Sequence, residues 1–361
     1  MGKRVCYIHV GPHKTGTTSI QWFLQENREE LLKHGYFVPE SETKHGAHHA
    51  IVRKLCGQEL SEHEQSVAAK FIRAIVNSRS EAIVISSEAL EGLLRNRGYA
   101  KAFFSRIQES NLEPKLVLFP RNQSQWTNSS YSSVVTTFRR SEPFQAFALG
   151  VTQSVGAKFS PWIELADAHA VELIPRPFTS ETVVRGVLPE FLSAIGVNPS
   201  QFRDTEIRRN EAVGPFTVAV ARGVLRSIGG VSKRLKWLQA MRCKTKLATY
   251  LEKRGLADAG YCGLTTALAR HIEGELQSDN DVFAKRVWGR PWAEIFAAEI
   301  GQEFTPNDFE ITRPSWFTER RLRRAIREMK TIVQEILLNP VLAVEAPWND
   351  LRQRAGWTSR G

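Results

Sequence analysis

Residues 7 to 21 of this chain, YIHVGPHKTGTTSIQ, bring two glycines, a lysine and a run of hydroxyl side chains together in one short stretch. Gly11 and Gly16 let the backbone turn tightly and point successive N–H groups toward one place. Lys14 adds a positive charge between them, and the threonines and serine after Gly16 add hydroxyl donors. Such a concavity binds phosphate or sulfate, so this stretch predicts an anion-binding loop.

A strand and a helix must position this loop, and the sequence predicts both. RVCYIHV, residues 4 to 10, is short and apolar as a buried strand is, and a helical pattern runs from Thr17 to Gly35. A helix that begins near Thr17 directs the partial positive charge of its N-terminus toward the loop. Three more segments have the composition of buried parallel strands: residues 81 to 86, 115 to 120 and 170 to 175.

The alternation of these strands with helical stretches predicts an α/β fold, namely a three-layer α/β/α core around a parallel sheet. After about residue 216 no further strand is predicted, and the remainder has the pattern of helices. We therefore divide the chain into a core that carries the anion site, residues 1–214, and a mostly helical C-terminal extension, residues 215–361, packed on that core.

The two glycines have the spacing of a Walker A loop, GxxxxGK[ST], but the lysine does not follow the second glycine. Lys14 lies two residues before Gly16, so its amine projects from the loop instead of from the start of the helix. An acidic Mg²⁺ ligand after a strand is not obvious unless Glu88, which follows IVISS, serves. A P-loop kinase or nucleotide hydrolase is therefore a strained interpretation, which we keep as an alternative.

The order Lys14-Thr15-Gly16-Thr17-Thr18-Ser19 resembles the 5′-phosphosulfate loop of sulfotransferases, whose pattern after the first strand is roughly PK[ST]GTT[SW]. The donor in that family is 3′-phosphoadenosine 5′-phosphosulfate (PAPS). Motif-level similarity covers residues 1 to 210 well and the remainder poorly. The resemblance implies a P-loop-like core whose loop holds the 5′-phosphate of the donor through Gly11, Lys14, Thr15, Gly16, Thr17, Thr18 and Ser19, with His13 orienting the loop.

A second element of the family holds the 3′-phosphate of the donor, with an arginine at a strand end and a serine eight residues later. In LVLFPRNQSQWTNSSY, Arg121 follows the strand and Ser129 comes eight residues further on. A guanidinium group gives charge-assisted hydrogen bonds to a phosphate dianion, and a helical hydroxyl two turns along can close over it. Arg208 or Arg209, in IRRN, is a further candidate for a donor-phosphate contact.

The resemblance implies transfer of a sulfuryl group from PAPS to an acceptor hydroxyl, which leaves 3′-phosphoadenosine 5′-phosphate (PAP). This reaction is similar to in-line phosphoryl transfer, so catalysis is mostly positioning and charge stabilisation. Lys14 is the candidate for stabilising charge on the bridging and leaving oxygens. We expect no metal, because a sulfuryl group carries less charge than a terminal phosphoryl group.

The acceptor hydroxyl benefits from a general base, and three residues are candidates. Glu88, in AIVISSEAL, comes just past the C-terminal end of a strand, and some members of the family use a glutamate. His48 and His49, in KHGAHHA, are the rivals, because other members use a histidine. Each also has a structural explanation: Glu88 as a helix cap and the histidines as ordinary loop residues.

The contact with adenine departs from the family pattern. Cytosolic members place a tryptophan directly after the paired threonines, where this chain has Ser19. Trp22 or Trp126 is then the candidate for stacking on adenine, although plain helix packing is the more frequent role of a tryptophan in either position.

The charge of the chain points to acidic partners. The 361 residues carry a formal net charge of +11. Basic runs at residues 222–254 and 320–330 are either solvated helix faces or a contact with an anionic acceptor or a membrane surface. We expect a carbohydrate or glycolipid hydroxyl as acceptor and no sequence-specific nucleic acid, and a non-catalytic anion-binding or nucleic-acid-binding protein is the third alternative.

The location of the protein follows from what the sequence lacks. No segment approaches the roughly 20 consecutive apolar residues of a membrane span, and none has the pattern of a signal peptide. The four cysteines are scattered, without the spacing of a zinc site or a disulfide framework. We therefore expect a cytoplasmic protein with reduced thiols.

Overall fold

The computed structural model of this chain describes residues 2–41, 43–202, 213–229 and 235–339. The chain divides into two compact units, and each unit draws on separate stretches of sequence. The sequence-based division has a single boundary after residue 214 and does not coincide with these units. The first unit comprises Met1–Asn122, Lys158–Arg209 and Gln277–Glu299, and the second comprises Gln123–Ala157, Asn210–Leu276 and Ile300–Gly361.

Strands and helices alternate along the chain as far as residue 175, and helices follow. The strands are β1 (Arg4–His9), β2 (Tyr36–Phe37), β3 (Ala82–Ser86), β4 (Leu112–Leu118) and β5 (Glu172–Pro175). The helices are α1 (Thr17–Glu26), α2 (Arg28–Lys33), α3 (His49–Leu55), α4 (Glu62–Asn77), α5 (Leu90–Leu93), α6 (Arg97–Glu109), α7 (Gln123–Thr136), α8 (Phe144–Thr152), α9 (Ser160–His169), α10 (Ser180–Arg185), α11 (Leu188–Ala194), α12 (Pro215–Ser227), α13 (Trp237–Lys253), α14 (Thr266–Trp288), α15 (Trp292–Ile295), α16 (Ala297–Ile300) and α17 (Trp316–Leu338).

The first unit contains a five-stranded parallel sheet with the order β2-β3-β1-β4-β5. β1 is central, because Val5 is in register with Ala82 of β3 on one side and with Glu113 of β4 on the other. The four predicted strand segments correspond to β1, β3, β4 and β5. β2 was not predicted, since two residues are too few to give a pattern.

Helices lie on both faces of this sheet. The connections from β1 to β2 and from β2 to β3 run in opposite directions along the sheet, so right-handed crossovers place α1 and α4 on opposite faces. On one face, α1, α2 and α11 share an apolar core with Val84 and Val117 of the strands. On the other, α3 contacts α4 and α6, and α6 contacts α9. This α/β arrangement is consistent with a three-layer α/β/α fold.

The predicted helix from Thr17 to Gly35 is two helices in the structure, α1 and α2. The break lies at Asn27, whose side-chain Nδ2 and backbone N–H both donate to the carbonyl oxygen of Phe23. Asparagine favours such ends, because its side chain competes with the backbone for hydrogen bonds.

The topology marks the edge of the sheet where a ligand would bind. The chain leaves β1 toward β2 and leaves the neighbouring β4 toward β5, in the opposite direction. Ligands of open α/β sheets bind outside the carboxyl ends of strands where the connections diverge in this way. The residues that follow His9, Ser86 and Leu118 are therefore expected to surround a site.

The second unit has an apolar core of its own, to which α7, α8, α12, α13 and α17 contribute. A polar network is buried within it. Arg222 makes two hydrogen bonds to the carboxylate of Asp308, at 2.6 and 2.9 Å, and the hydroxyl of Tyr261 donates to the same carboxylate at 2.6 Å. Burial raises the pKa of Asp308, but the hydrogen bonds from Arg222 and Tyr261 outweigh it, and the net shift is downward. Both charges are thus compensated inside the core.

The described residues from Pro215 onward contain helices, α12 to α17, and no strand, although Ala259 forms an isolated bridge with Val213. In the part of the chain that the structure describes, no helix has both the length and the apolar composition that crossing a bilayer requires.

Candidate functional site

The loop between β1 and α1 has an unusual backbone. Gly11 and Gly16 have φ angles of +93° and +78°, which glycine adopts at no steric cost. Lys14 also has a positive φ, +69°. A left-handed conformation costs a non-glycine residue about 1–2 kcal/mol, so the surrounding structure must hold Lys14 in place.

Hydrogen bonds within the loop hold it in this shape. The hydroxyls of Thr15 and Thr17 both donate to the carbonyl oxygen of Pro12, at 2.6 and 3.3 Å. The backbone N–H of His13 donates to the buried carboxylate of Glu91 at 3.1 Å. The two threonine hydroxyls, which the family resemblance assigned to the anion, therefore donate to the loop itself.

Helix α1 begins at this loop, with Gly16 as its N-cap. Glycine has no side chain to accept from the N–H groups of the first turn, and that turn contains no acidic residue. The helix N-terminus therefore keeps its positive potential. Thr18 and Ser19 are half-buried in the same turn. A Cβ atom at Gly16 would lie 2.6 Å from Cγ1 of Val187, so any larger residue would require Val187 to shift.

Arg121, predicted from the end of β4, lies against the loop. Its Nη1 donates to the carbonyl oxygen of Lys14 at 2.8 Å, and its guanidinium carbon is 5.3 Å from the ring centroid of Phe178. Its Nε is buried and has no hydrogen-bond partner within the described ranges. Burial lowers the pKa of Arg121 to about 10, although the charge of Glu299 raises it. The guanidinium is thus a half-buried cation whose buried Nε is an unused donor.

Glu88 follows β3 and lies beside the loop. A Cβ atom added to Gly11 would be 3.6 Å from the Cβ of Glu88. Nε2 of Gln21 donates to Oε2 of Glu88 at 2.6 Å, and Nε2 of His49 lies 3.8 Å from Oε1. Burial alone would raise the pKa of Glu88, but the charges of His49 and His13 and the hydrogen bond from Gln21 lower it to about 2. Glu88 is therefore ionised at neutral pH.

His49 and His48 have different environments, although they are adjacent in sequence. Nδ1 of His49 is 2.8 Å from the hydroxyl of Ser87, and its Nε2 faces Glu88. His48 accepts from the backbone N–H of Ser86 through Nδ1 at 3.0 Å, so its Nε2 donates to the carbonyl oxygen of Pro39. Burial lowers the pKa of His48 to about 4. Both ring nitrogens of His48 are hydrogen-bonded to backbone groups. His49, which faces Glu88, is therefore the histidine of the candidate site.

Sequence reasoning missed three polar residues that support the site: His9, Gln21 and Glu91. His9 ends β1, is fully buried, and places Nδ1 2.8 Å from the hydroxyl of Ser86. Burial lowers the pKa of His9 to about 4, and its Nε2 has no hydrogen-bond partner in the described part of the chain. A histidine inside the apolar run VCYIHV was the signal that could have found His9, whereas Gln21 and Glu91 gave none.

The remaining predicted residues divide between the two units and the part of the chain that the structure does not describe. Ser129 is in α7 of the second unit, where its carbonyl oxygen accepts from the hydroxyl of Ser132 at 3.0 Å. Trp126 is buried in the core of that unit, which favours a packing role. Trp22 is half-buried, with its ring edge-on to His45 at 5.3 Å. Arg208 and Arg209 lie outside the described residues.

Comparison of the chain with protein-family models, with curated proteins and with solved structures found no match. Among the described residues, no group of three or more histidine, cysteine or acidic side chains is placed to hold a metal ion.

Proposed function

We propose that this chain is a sulfotransferase that moves a sulfuryl group from PAPS to an acceptor hydroxyl. One observation carries the proposal: the half-buried Arg121 guanidinium donates to the carbonyl of Lys14 and has a buried Nε without a hydrogen-bond partner among the described residues. A half-buried cation beside a loop suited to an anion favours a ligand with two separate anionic groups. PAPS is such a ligand, with a 5′-phosphosulfate and a 3′-phosphate.

The loop and the start of α1 suit the 5′ end of this donor. The uncapped N–H groups of the first turn, the positive φ of Lys14 and the close approach at Gly16 favour an anion above the helix N-terminus. Thr18 and Ser19, half-buried in that turn, supply hydroxyls. Arg121 then binds the 3′-phosphate from the neighbouring strand end.

In the proposed reaction the acceptor oxygen forms a bond to sulfur while the bond between sulfur and the bridging phosphate oxygen breaks. The products are a sulfate ester and PAP. Negative charge develops on the departing phosphate oxygen, and Lys14 stabilises it there. The proton of the acceptor hydroxyl passes to a base at the site.

Glu88 is the base that we propose. Its low pKa makes it a weak base, but a hydroxyl that is forming a sulfate ester becomes strongly acidic, so a weak base suffices late in a loose transition state. His49 and Gln21 hold the carboxylate in place. His49 is the alternative base, and Glu88→Gln and His49→Gln should separate the two by which variant loses more of its kcat.

The proposal is tested by transfer of labelled sulfuryl from PAPS to sugar, glycolipid and phenol acceptors, with and without EDTA. We expect transfer that survives EDTA and falls at least about a hundredfold in Lys14→Ala, since one lost transition-state donor costs that much. Arg121→Ala should raise the KM for PAPS. Lys101→Ala and Arg97→Ala, at exposed positions, are the matched controls and should leave both constants unchanged.

Two results would overturn this function. Mg²⁺-dependent transfer or hydrolysis of the γ-phosphate of ATP, with no use of PAPS, would favour the P-loop kinase or hydrolase. Binding of PAP without turnover on any acceptor class would favour a non-catalytic anion-binding protein. The cytoplasmic location predicted from the sequence belongs to this proposal and is checked by fractionation of the cells that make the protein.

A further inference from the structure

Helix α17 of the second unit has two contrasting faces. One is packed into the core through Ala325, Met329, Val333 and Ile336. The first two residues of the helix, Trp316 and Phe317, are instead 62% and 73% exposed. Two adjacent large aromatic side chains that remain this exposed are unusual on a surface that contacts only water.

The exposed side of α17 is also rich in arginine. Trp316, Arg320, Arg324 and Arg327 follow one another at spacings of four, four and three residues, which places them on one side of the helix. The guanidinium of Arg320 lies over the ring of Trp316, with its carbon 5.6 Å from the ring centroid. We call these four residues, with Phe317, the outer face of α17.

A second basic helix is packed beside this one. α13 contacts α17 within the second unit, and Tyr250 and Arg254 both bond to Glu328. α13 adds exposed Arg242 and Lys246 to the same pair of helices. Glu328 also accepts from Arg324, so the acidic residue between the helices is already neutralised by its neighbours. The pair therefore combines exposed aromatic side chains with a surplus of positive charge.

We propose that the outer face of α17 binds an anionic phospholipid bilayer. Trp316 and Phe317 would enter the interface between headgroups and acyl chains, where amphipathic aromatic rings are favoured. The arginines would bind the lipid phosphates. An acidic polymer such as RNA would also attract the arginines, but a bilayer additionally accounts for the exposed aromatic pair. This inference does not depend on the proposed sulfotransferase activity.

Vesicle co-sedimentation of the full chain tests the inference. We expect binding to phosphatidylcholine vesicles that contain phosphatidylserine and little binding to phosphatidylcholine alone. Each arginine near such a surface contributes about fivefold in affinity, so Arg320→Gln/Arg324→Gln/Arg327→Gln should lose about a hundredfold. The matched control, Arg73→Gln/Arg79→Gln/Arg97→Gln, removes the same charge from exposed positions of the first unit and should change binding much less.

The aromatic side chains need a separate readout. Brominated acyl chains should quench the tryptophan fluorescence of the bound protein, and Trp316→Phe should remove most of that quenching. Trp316→Ser/Phe317→Ser should weaken vesicle binding at least about tenfold. Unchanged circular dichroism would show that the variants are folded.

Three outcomes would overturn the inference. The first is equal binding by the outer-face and control arginine variants. The second is tight binding to RNA with no dependence on the aromatic pair, which would assign the surface to an acidic polymer. The third is self-association of the chain that the aromatic variant abolishes, which would assign the surface to a second copy.

Discussion

Lys14 has a left-handed backbone in the loop where its amine is proposed to act. The φ angle of +69° strains a lysine backbone, whereas glycine adopts it without steric strain. Such strain at a chemically useful residue is typical of a functional site, where the surrounding structure holds the residue in place. The hydrogen bonds of Thr15 and Arg121 to the loop are the holding contacts.

The first prediction concerns this strain. Lys14→Gly should leave the free energy of unfolding unchanged or raise it by up to about 1 kcal/mol, because relief of the strained φ offsets the added chain entropy. The same variant should lose sulfuryl transfer. Urea unfolding and the transfer assay check the two effects. Ala170→Gly, which replaces another residue of positive φ, should match its stability and keep full activity. A large loss of stability in Lys14→Gly would mean that the lysine is structural.

The second prediction concerns Glu88 and acid. Its pKa in the folded protein is about 2, below the ordinary value of 4.5, so the unfolded chain binds more protons between these values. Glu88 therefore contributes stability above pH 4.5 that is lost as pH falls toward 2, by on the order of 1 kcal/mol per pH unit. Urea unfolding between pH 5 and pH 3 should show a steeper loss in the wild type than in Glu88→Gln. Equal slopes would mean that the carboxylate is not held as described.

At the residue scale, the sequence predicted those members of the site that belong to a local motif. Lys14, Gly16 and Arg121 are recognisable from their neighbours in the chain. His9 and Gln21 are not, because their contacts, Ser86 and Glu88, come more than 60 residues later. The choice between His48 and His49 likewise needed the positions of the ring nitrogens.

At the element scale, the site depends on how α1 meets α11. The N-cap of α1, Gly16, faces Val187 at the start of α11, and the gap leaves no room for a methyl group. Packing of the two helices on one face of the sheet therefore fixes where the first-turn N–H groups point. Hydrophobic periodicity predicted α1 but could not reveal this close approach, because it joins residues distant in sequence.

The third prediction tests that contact. Gly16→Ala should lower the free energy of unfolding by roughly 1–3 kcal/mol, through the clash with Val187 and the positive φ. Adding Val187→Ala to Gly16→Ala should recover the part of the lost unfolding free energy that the clash causes. The double-mutant cycle should then give a coupling energy of about 1 kcal/mol. Gly274→Ala, at a helical glycine with open space around it, should be neutral or slightly stabilising. Strict additivity of the two substitutions would mean that the two residues do not restrict each other.

At the scale of the whole molecule, the sequence predicted the class of fold but not how the chain divides. The alternation of strand and helix segments indicated a parallel α/β sheet. It did not indicate that residues 123–157 belong to the second unit and residues 277–299 to the first. No composition shift marks the points where the chain passes from one unit to the other, and one of these points, after Leu276, falls inside helix α14. The role of Ser129, which belongs to the second unit, therefore rests on the motif alone.

The fourth prediction is a calorimetric titration of the full chain with PAP and with ADP. Both nucleotides carry two phosphates, but the second is at the 3′ position in PAP, where Arg121 is proposed to bind it, and on the 5′-phosphate in ADP. PAP should bind at least about tenfold more tightly than ADP, as one charge-assisted contact predicts. Arg121→Ala should abolish that preference while ADP binding persists, and Lys14→Ala should weaken both ligands. Equal affinity for the two nucleotides, or a preference for PAP that survives in Arg121→Ala, would contradict the proposed site.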